Sequence, residues 1–434
     1  MKIRHFVRSA ALSATLILSL TGLAEAAPKE NWIGAWGLVP VPPPPGIPVP
    51  VFADLTVPMG QHASNLMFGP VLLDNPGHVA MAPLGSDFMD VTIRQLVRVS
   101  VAGKRIRLRF SNEFNNETLA LGHIHVALAG PDGAIIAGSD HPVTFSGHDM
   151  VNLPSAAPIL SDPVTMAVKP MDRLLISIHV PGNVPRTGHL RFQYVSGVPG
   201  DQTASTQLPQ QKIAQLTALV SEVDVDATSA TGTIVALGDS ITDGDASTSN
   251  AFRSWPDRLA ERLDGKMGVV NTGIGGNRLL RYGTGPSALA RLDSDVLNVP
   301  GVKYIILLEG INDIGRAFPN NLLPEPVTLE SLIDADRQII RRAHDHGIKV
   351  IGATLTPYQG AFYASAAGEK VREGLNAWIL NGGEFDATLD FAKAVADPAN
   401  PLVYARKFND FDKLHPNDTG YKAIADAIDL KVFK

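Results

Sequence analysis

The sequence predicts a β-sandwich-like domain followed by an α/β domain built on a doubly wound, mostly parallel five-stranded sheet. Two patterns and the break between them carry that expectation. From about Val91, apolar residues recur with period two between clusters of Gly, Pro, Asn and Asp. From Thr233, continuous apolar runs alternate with amphipathic stretches, as buried parallel strands and their crossover helices do. Between them, residues 201–226 are rich in Gln, Thr and Ser and then turn acidic, which puts the boundary between two domains, 27–225 and 226–434. No internal repeat is visible in either half.

Composition bounds both halves. The chain has 434 residues, 45% apolar and 18% charged, enough to fill substantial cores. It has no cysteine, which removes disulfides, thiolate nucleophiles, zinc ribbons and iron–sulfur ligation. Its 37 basic and 43 acidic residues give a net charge of -6, without the basic excess that phosphate backbones require, so nucleic acid is not expected as a partner. Residues 1–26 read as a signal peptide: Lys2, Arg4 and Arg8 precede the apolar run 10–23, and Ala24-Glu25-Ala26 is an A-x-A cleavage signature. That run is shorter than the ~20 residues a membrane span requires. The expectation is cleavage after Ala26, no stable membrane anchor, and a secreted or periplasmic location.

The elements follow in order. Residues 39–50, VPVPPPPGIPVP, must be extended and lie outside any core. In Lys104-Arg105-Ile106-Arg107-Leu108-Arg109-Phe110 the alternation places Ile106, Leu108 and Phe110 on one buried face, after a turn at Ala102-Gly103. Residues 123–128 and 174–180 read as further strands of the same sandwich. One short helix and an acidic connector are expected between Asp201 and Asp226. In the second half, 233–237, 269–271, 304–308, 349–355 and 385–391 read as strands, and 254–263, 287–297, 328–344 and 369–380 as helices. Leu329, Leu332, Ile333, Ile339, Ile340 and Ala343 share one face of the third helix, and Gly347 stands just past its end. A last helix follows Pro416, with Tyr421, Ile424, Ala425 and Ile428 on one side.

In such a sheet, ligands bind outside the carboxyl ends of the strands, so the residues after each apolar run are the informative ones. They are Gly238-Asp239-Ser240, then Asn271-Thr272-Gly273-Ile274-Gly275-Gly276-Asn277, then Gly310-Ile311-Asn312-Asp313, and Asp412-Lys413-Leu414-His415 before the final helix. Each type answers a requirement of acyl transfer. A serine hydroxyl needs a neutral imidazole to take its proton, and the imidazole needs an acid on its other nitrogen; Ser240, His415 and Asp412 fit those roles. The carbonyl oxygen becomes negative in the intermediate, so donors must face it: the Ser240 and Gly276 backbone N–H groups and the Asn312 amide. Glycine at 276 admits close backbone approach, and Gly310 allows the turn that presents Asn312.

These blocks resemble the four blocks of the SGNH (GDSL) hydrolase superfamily. The resemblance spans roughly residues 230–434 and implies a flavodoxin-like α/β fold, Ser240 as nucleophile, His415 as base, Asp412 as its orienter, and Ser240, Gly276 and Asn312 as the oxyanion hole. The longer stretches ALGDSITDG, NTGIGGNRLL, LLEGINDIG and LHPND are similar to a subgroup named after an acetylesterase or arylesterase linked to xylanase clusters. Phe411 and Lys413 depart from its pattern around the triad aspartate. The N-terminal half resembles the β-domain that precedes the catalytic domain in some members.

Plainer readings exist for each residue. Ser240 alone would be a helix N-cap, Asp412 a turn residue, and Asn312-Asp313 an Asx turn; the four blocks together override them. His344 and His346 sit where a helix returns to a strand's amino end, the wrong edge. Gly273-Ile274-Gly275-Gly276 lacks the G-x-G-x-x-G spacing and follows the second strand rather than the first, so no dinucleotide is expected. His123 and His125 lack a third ligand, so no metal is expected. The resulting expectation is a cofactor-free serine carboxylic ester hydrolase that removes short acyl groups, acetyl above all, from an acylated polysaccharide or small ester. The rivals are a lipase, lysophospholipase, arylesterase or polyester hydrolase with the same triad, and a carbohydrate-binding protein on a degenerate hydrolase scaffold. Arg281, Tyr282, Phe318, Tyr358 and Tyr363 lie in loops able to shape the pocket.

Overall fold

The computed structural model describes residues 30–42, 89–184, 195–208, 219–248, 250–317, 327–409 and 411–434. The signal segment 1–26, the proline-rich stretch from residue 43, residues 209–218 of the expected short helix, and Phe318 lie outside the described residues. Asn31–Lys434 forms one compact unit. Among the described residues, no helix is long and apolar enough to cross a membrane.

Alternation builds the first half as strands β1 (Trp32–Gly37), β2 (Met89–Arg98), β3 (Gly103–Ser111), β4 (Leu119–Leu121), β5 (Ile124–Leu128) and β6 (His141–Pro142). They continue as β7 (Val151–Leu153), β8 (Pro158–Leu160), β9 (Val164–Val168), β10 (Arg173–Asn183), β11 (Val195–Pro199) and β12 (Val220–Ala227). One antiparallel sheet runs β1-β12-β3-β8, with β9 also on β3; a second runs β11-β2-β10-β5-β6. Ile106, Leu108 and Phe110 of the first meet Ile93, Ile124, Val126, Ile176 and Ile178 of the second in one buried core, which makes the half β-sandwich-like. The acidic stretch before residue 226 is therefore a strand and not a connector. Val223 and Val225 face the core, while Asp224, itself buried, and the half-buried Asp226 lie on the other face and bind Arg107 and Arg105 at 2.8 and 2.7 Å. Cross-strand charge pairing makes those acids compatible with a strand.

After β12 the chain enters a third sheet, of five parallel strands, β13 (Thr233–Gly238), β14 (Gly268–Gly273), β15 (Val302–Leu308), β16 (Lys349–Ala353) and β17 (Ala387–Leu389), in the order β14-β13-β15-β16-β17. The helices are α1 (Ser240–Asp243), α2 (Trp255–Leu263), α3 (Ala288–Leu292), α4 (Ile311–Ala317), α5 (Leu329–Asp345), α6 (Ala366–Asn381), α7 (Phe391–Val395) and α8 (Asp418–Asp426). Helix α8 packs on α2 and α7, whereas α5 packs on α3 and α6, so the sheet is covered in two groups as a doubly wound fold requires. The last strand is shorter than residues 385–391, because Asp390 accepts from Lys393 N at 3.0 Å and starts α7 there. The two halves touch directly. Gly34 N donates to Pro300 O at 3.0 Å and Val269 N to Ser100 Oγ at 2.9 Å, which ties β1 and the β2–β3 turn to the edge of the parallel sheet.

Candidate active site

Strand β13 ends at Gly238, and Asp239 caps α1 by accepting from Ile241 N at 2.9 Å. That places Ser240 at the first helical position, at the carboxyl end of β13, the second strand of the sheet. Its Oγ lies 2.8 Å from His415 Nε2, and His415 Nδ1 lies 2.5 Å from Asp412 Oδ2. The other oxygen of Asp412 accepts from the Leu414 and His415 backbone N–H groups at 2.9 and 2.8 Å. The three-residue spacing thus closes a turn on its own carboxylate, with Lys413 at φ 64° absorbing the reversal. Asn409 holds the turn from outside: its Nδ2 donates to His415 O at 2.8 Å and its Oδ1 accepts from Lys413 N at 3.1 Å.

The other two strand ends supply the donors. Gly276, beyond β14, has φ 74°, a conformation that disfavours any side chain. Asn312 lies in the first turn of α4, beyond β15, and is buried. Tyr363 Oη donates to Asn312 Oδ1 at 3.4 Å, while Asn312 Nδ2 is buried without a partner among the described residues. An amide held by its oxygen with its nitrogen unused is a donor in waiting. Asp313 is structural: its carboxylate accepts from Leu279 N at 2.7 Å and Leu280 N at 3.1 Å, locking the Gly276 loop to α4. Ser240, Asp412 and His415 are joined by hydrogen bonds, and Gly276 and Asn312 end the two strands that flank β13.

Residues 236–423 match the model of the GDSL-like lipase/acylhydrolase family. This segment is a GDSL-like acylhydrolase domain. The family is one of carboxylic ester hydrolases, and the matched segment holds the whole of the five-stranded parallel sheet apart from the first residues of β13. Among solved structures, the chain is similar to a G-D-S-L family protein from Desulfitobacterium hafniense, with 24% identity, 45% of this chain and 97% of that one covered, and a TM-score of 0.36. It is also similar to the Mycobacterium smegmatis aryl esterase (15%, 45% and 95%, 0.36) and to a Geobacillus acetyl-xylooligosaccharide esterase (19%, 46% and 93%, 0.35). No curated protein matches the chain.

Several ionisable groups around Ser240 and His415 are shifted by burial and by one another. Burial opposes the His415 imidazolium, but Asp412, Asp245 and Asp239 outweigh it and push the imidazole up to about 9. Asp412 is shifted the other way: burial would raise it, yet His415 and the two backbone donors bring it well below the usual carboxylate range. Burial raises Asp239 to about 7 and Asp313 to about 6, and lifts Glu309 strongly, with Asp239 adding to the effect.

Several contributors carry no motif. Arg291, buried in α3, donates to Thr272 O at 2.6 Å and Gly238 O at 3.0 Å, so one guanidinium ties together the ends of β14 and β13. Asp245 Oδ2 stands 4.0 Å from His415 Nε2. Of the loop residues, Tyr363 reaches the site, Tyr358 is buried in the core, and Tyr282 is 56% exposed. His344 binds Asp386 at 2.8 Å, at the amino end of β17, away from the triad. His123 and His125 each pair with an aspartate of their own, Asp201 and Asp140. Among the described residues no group of three or more His, Asp or Glu is placed to hold a metal.

Proposed function

We propose that the chain is an exported serine esterase that works through an acyl-Ser240 intermediate and removes short acyl groups, acetyl above all, from carbohydrate or small esters. The observation that carries the mechanism is the chain of bonds from Ser240 Oγ through His415 to Asp412, at 2.8 and 2.5 Å. His415 Nε2 takes the hydroxyl proton as Oγ attacks the ester carbonyl carbon, and Asp412 stabilises the imidazolium that forms. The new oxyanion is met by the Ser240 and Gly276 N–H groups and Asn312 Nδ2. When the intermediate collapses, the carbon–oxygen bond to the alcohol breaks and His415 returns the proton to the leaving oxygen. Water then attacks acyl-Ser240 with His415 again as base, releasing the carboxylic acid and restoring the hydroxyl.

The choice of short acyl groups rests on the similarity of the four motif stretches to the acetylesterase and arylesterase subgroup, and export on the signal pattern in residues 1–26. The test compares wild type with Ser240→Ala and His415→Ala on p-nitrophenyl acetate and on acetylated xylan. The expected result is acetate release from both substrates by wild type, and a loss of roughly 10³-fold or more in both variants. Cleavage of the small ester alone, with rates rising toward long acyl chains, would move the substrate to lipids or polyesters. Full activity of Ser240→Ala would remove the mechanism.

A further inference from the structure

Strand β1 of the sandwich runs along β14, the edge strand of the parallel sheet that leads into the Gly276 loop. Glycines allow the close approach: a side-chain carbon on Gly37 would fall 2.5 Å from Val270 Cγ1, and one on Gly268 would fall 2.1 Å from Gly34 O. Beyond β1 the chain keeps both neighbours. Leu38 N donates to Ser221 O of β12 at 2.9 Å, and Val39, Val41 and Ile274 form a small buried cluster of their own. Val39 and Val41 begin the proline-rich stretch expected to lie outside any core, yet both are buried. The cluster reaches the oxyanion glycine in two steps. Val41 Cγ1 lies 3.2 Å, and Ile274 Cδ1 3.6 Å, from the point a side-chain carbon would occupy on Gly285, and Thr284 Oγ1 lies 3.0 Å from the same point on Gly276. Asn277 Nδ2 donates to Thr284 O and Pro286 O at 3.1 and 2.9 Å, which closes residues 277–286 into one loop. Asp313 of α4 holds that loop at Leu279 and Leu280, and the sandwich holds it at Gly285. A run containing Gly273, Gly275, Gly276, Gly283 and Gly285 has little stiffness of its own, so the placement of the Gly276 N–H has to come from what packs on the loop.

We infer that Val39 and Val41 position the Gly276 loop, which makes the β-sandwich a working part of the ester-cleaving site. This inference rests on the serine-esterase reading above and adds to it a task for the N-terminal half. Val41 is a positioning residue: it acts through Gly285 and Thr284 on the loop that carries an oxyanion donor. The bound ester makes little use of that donor, whereas the tetrahedral intermediate depends on it. Loosening the loop should therefore lower kcat while leaving KM and the titration of His415 alone.

The test uses the full chain, p-nitrophenyl acetate and two substitutions in the same interface. Val41→Ala removes packing beyond the carboxyl end of β14. Val299→Ala removes it near the amino end, where Val299 Cγ1 lies 2.7 Å from the point a side-chain carbon would occupy on Gly34. Both variants should lower the melting temperature. Assayed below both transitions, Val41→Ala should lower kcat by about tenfold or more with KM unchanged, because a misplaced donor fails only the transition state. Val299→Ala should keep the wild-type kcat. The rising limb of the pH–rate profile should stay where wild type has it, since the carboxylates around His415 are untouched. Val39→Ala should follow Val41→Ala, and takes its place in the comparison if Val41→Ala does not fold. Equal kcat in the Val41→Ala and Val299→Ala variants, both retained or both lost, overturns the inference and leaves the esterase intact. A loss that falls on KM, or one that moves the pH limb, does the same. Failure of wild type to cleave p-nitrophenyl acetate overturns the esterase reading and the inference with it.

Discussion

His415 stands among three carboxylates, and they decide when it can act as a base. Asp412 binds Nδ1, Asp239 precedes Ser240 as the cap of α1, and Asp245 Oδ2 sits 4.0 Å from Nε2. Together they overcome burial and raise the imidazole to about 9. Only the neutral ring accepts the Ser240 proton, so kcat/KM on a neutral ester should climb with pH along a limb well above the ordinary imidazole value. Asp245→Asn removes one negative charge, weakens the imidazolium, and should move that limb down by roughly half a unit to one unit. A pH–rate profile of the variant checks it, and an unmoved or higher limb would contradict the role. Asn312→Ala should act differently, lowering kcat by about 10²–10³ with KM little changed, because the Asn312 amide is needed only once the oxyanion forms. Ser240, Gly276, Asn312, Asp412 and His415, which the proposal uses, were legible as residue types at strand ends. Asp245 was not, since nothing in the run Asp243-Gly244-Asp245 tells which of the two acids will face a histidine on a distant loop.

At the scale of elements, the site is assembled from strand ends, and the carboxyl groups buried there carry a cost. Asp239 is raised to about 7 and Asp313 to about 6, chiefly by burial. A carboxyl that holds its proton more tightly folded than unfolded stabilises the fold fully below about pH 4, and this contribution is lost as pH rises through 6 and 7. Asp239→Asn keeps the oxygen that caps α1 through Ile241 N but cannot ionise. The variant should therefore gain melting temperature over wild type at pH 8 and gain little or nothing at pH 4.5. Thermal unfolding at the two pH values measures this, and an equal shift at both would show that ionisation is not the cost. The same scale shows what patterning reveals and what it hides. The runs 233–237 and 304–308 are strands because short, continuous apolar runs bounded by glycine suit the buried strands of a parallel sheet. Strand β12 was misread as a connector because its acids look solvent-bound until the arginines of β3 are placed opposite them. Arg291 was invisible for a similar reason: its role is to bond the backbone at the ends of two strands, and backbone acceptors leave no mark in sequence.

The whole molecule depends on how the sandwich is fastened to the parallel sheet, and Arg98 is the clearest fastening. It ends β2, is 9% exposed, and reaches α2, where it donates to Glu261 Oε1 at 2.8 Å and Asp257 O at 3.0 Å. Its guanidinium also lies 5.0 Å from the centre of the Phe252 ring. The sequence marks Arg98 only as one more position of an alternating strand, and its partners belong to a helix in the other half. Arg98→Ala would strip the Asp257 carbonyl and the half-buried Glu261, which Arg258 also holds, of a donor, at a cost of about 1–2 kcal/mol. Asn31–Lys434 being one compact unit, wild type should unfold in denaturant in a single transition, and Arg98→Ala should lower the midpoint. A second transition in the variant would show that this contact alone couples the halves; an unchanged midpoint would show that Arg98 fastens nothing. The pH dependence gives an internal control. Arg258 and Arg98 hold the Glu261 carboxyl below its usual range against the effect of burial, so the stability it contributes is present above about pH 4.5 and is lost as pH falls through the lowered value. The penalty of Arg98→Ala should accordingly shrink in acid, whereas a purely steric loss of packing would persist there unchanged.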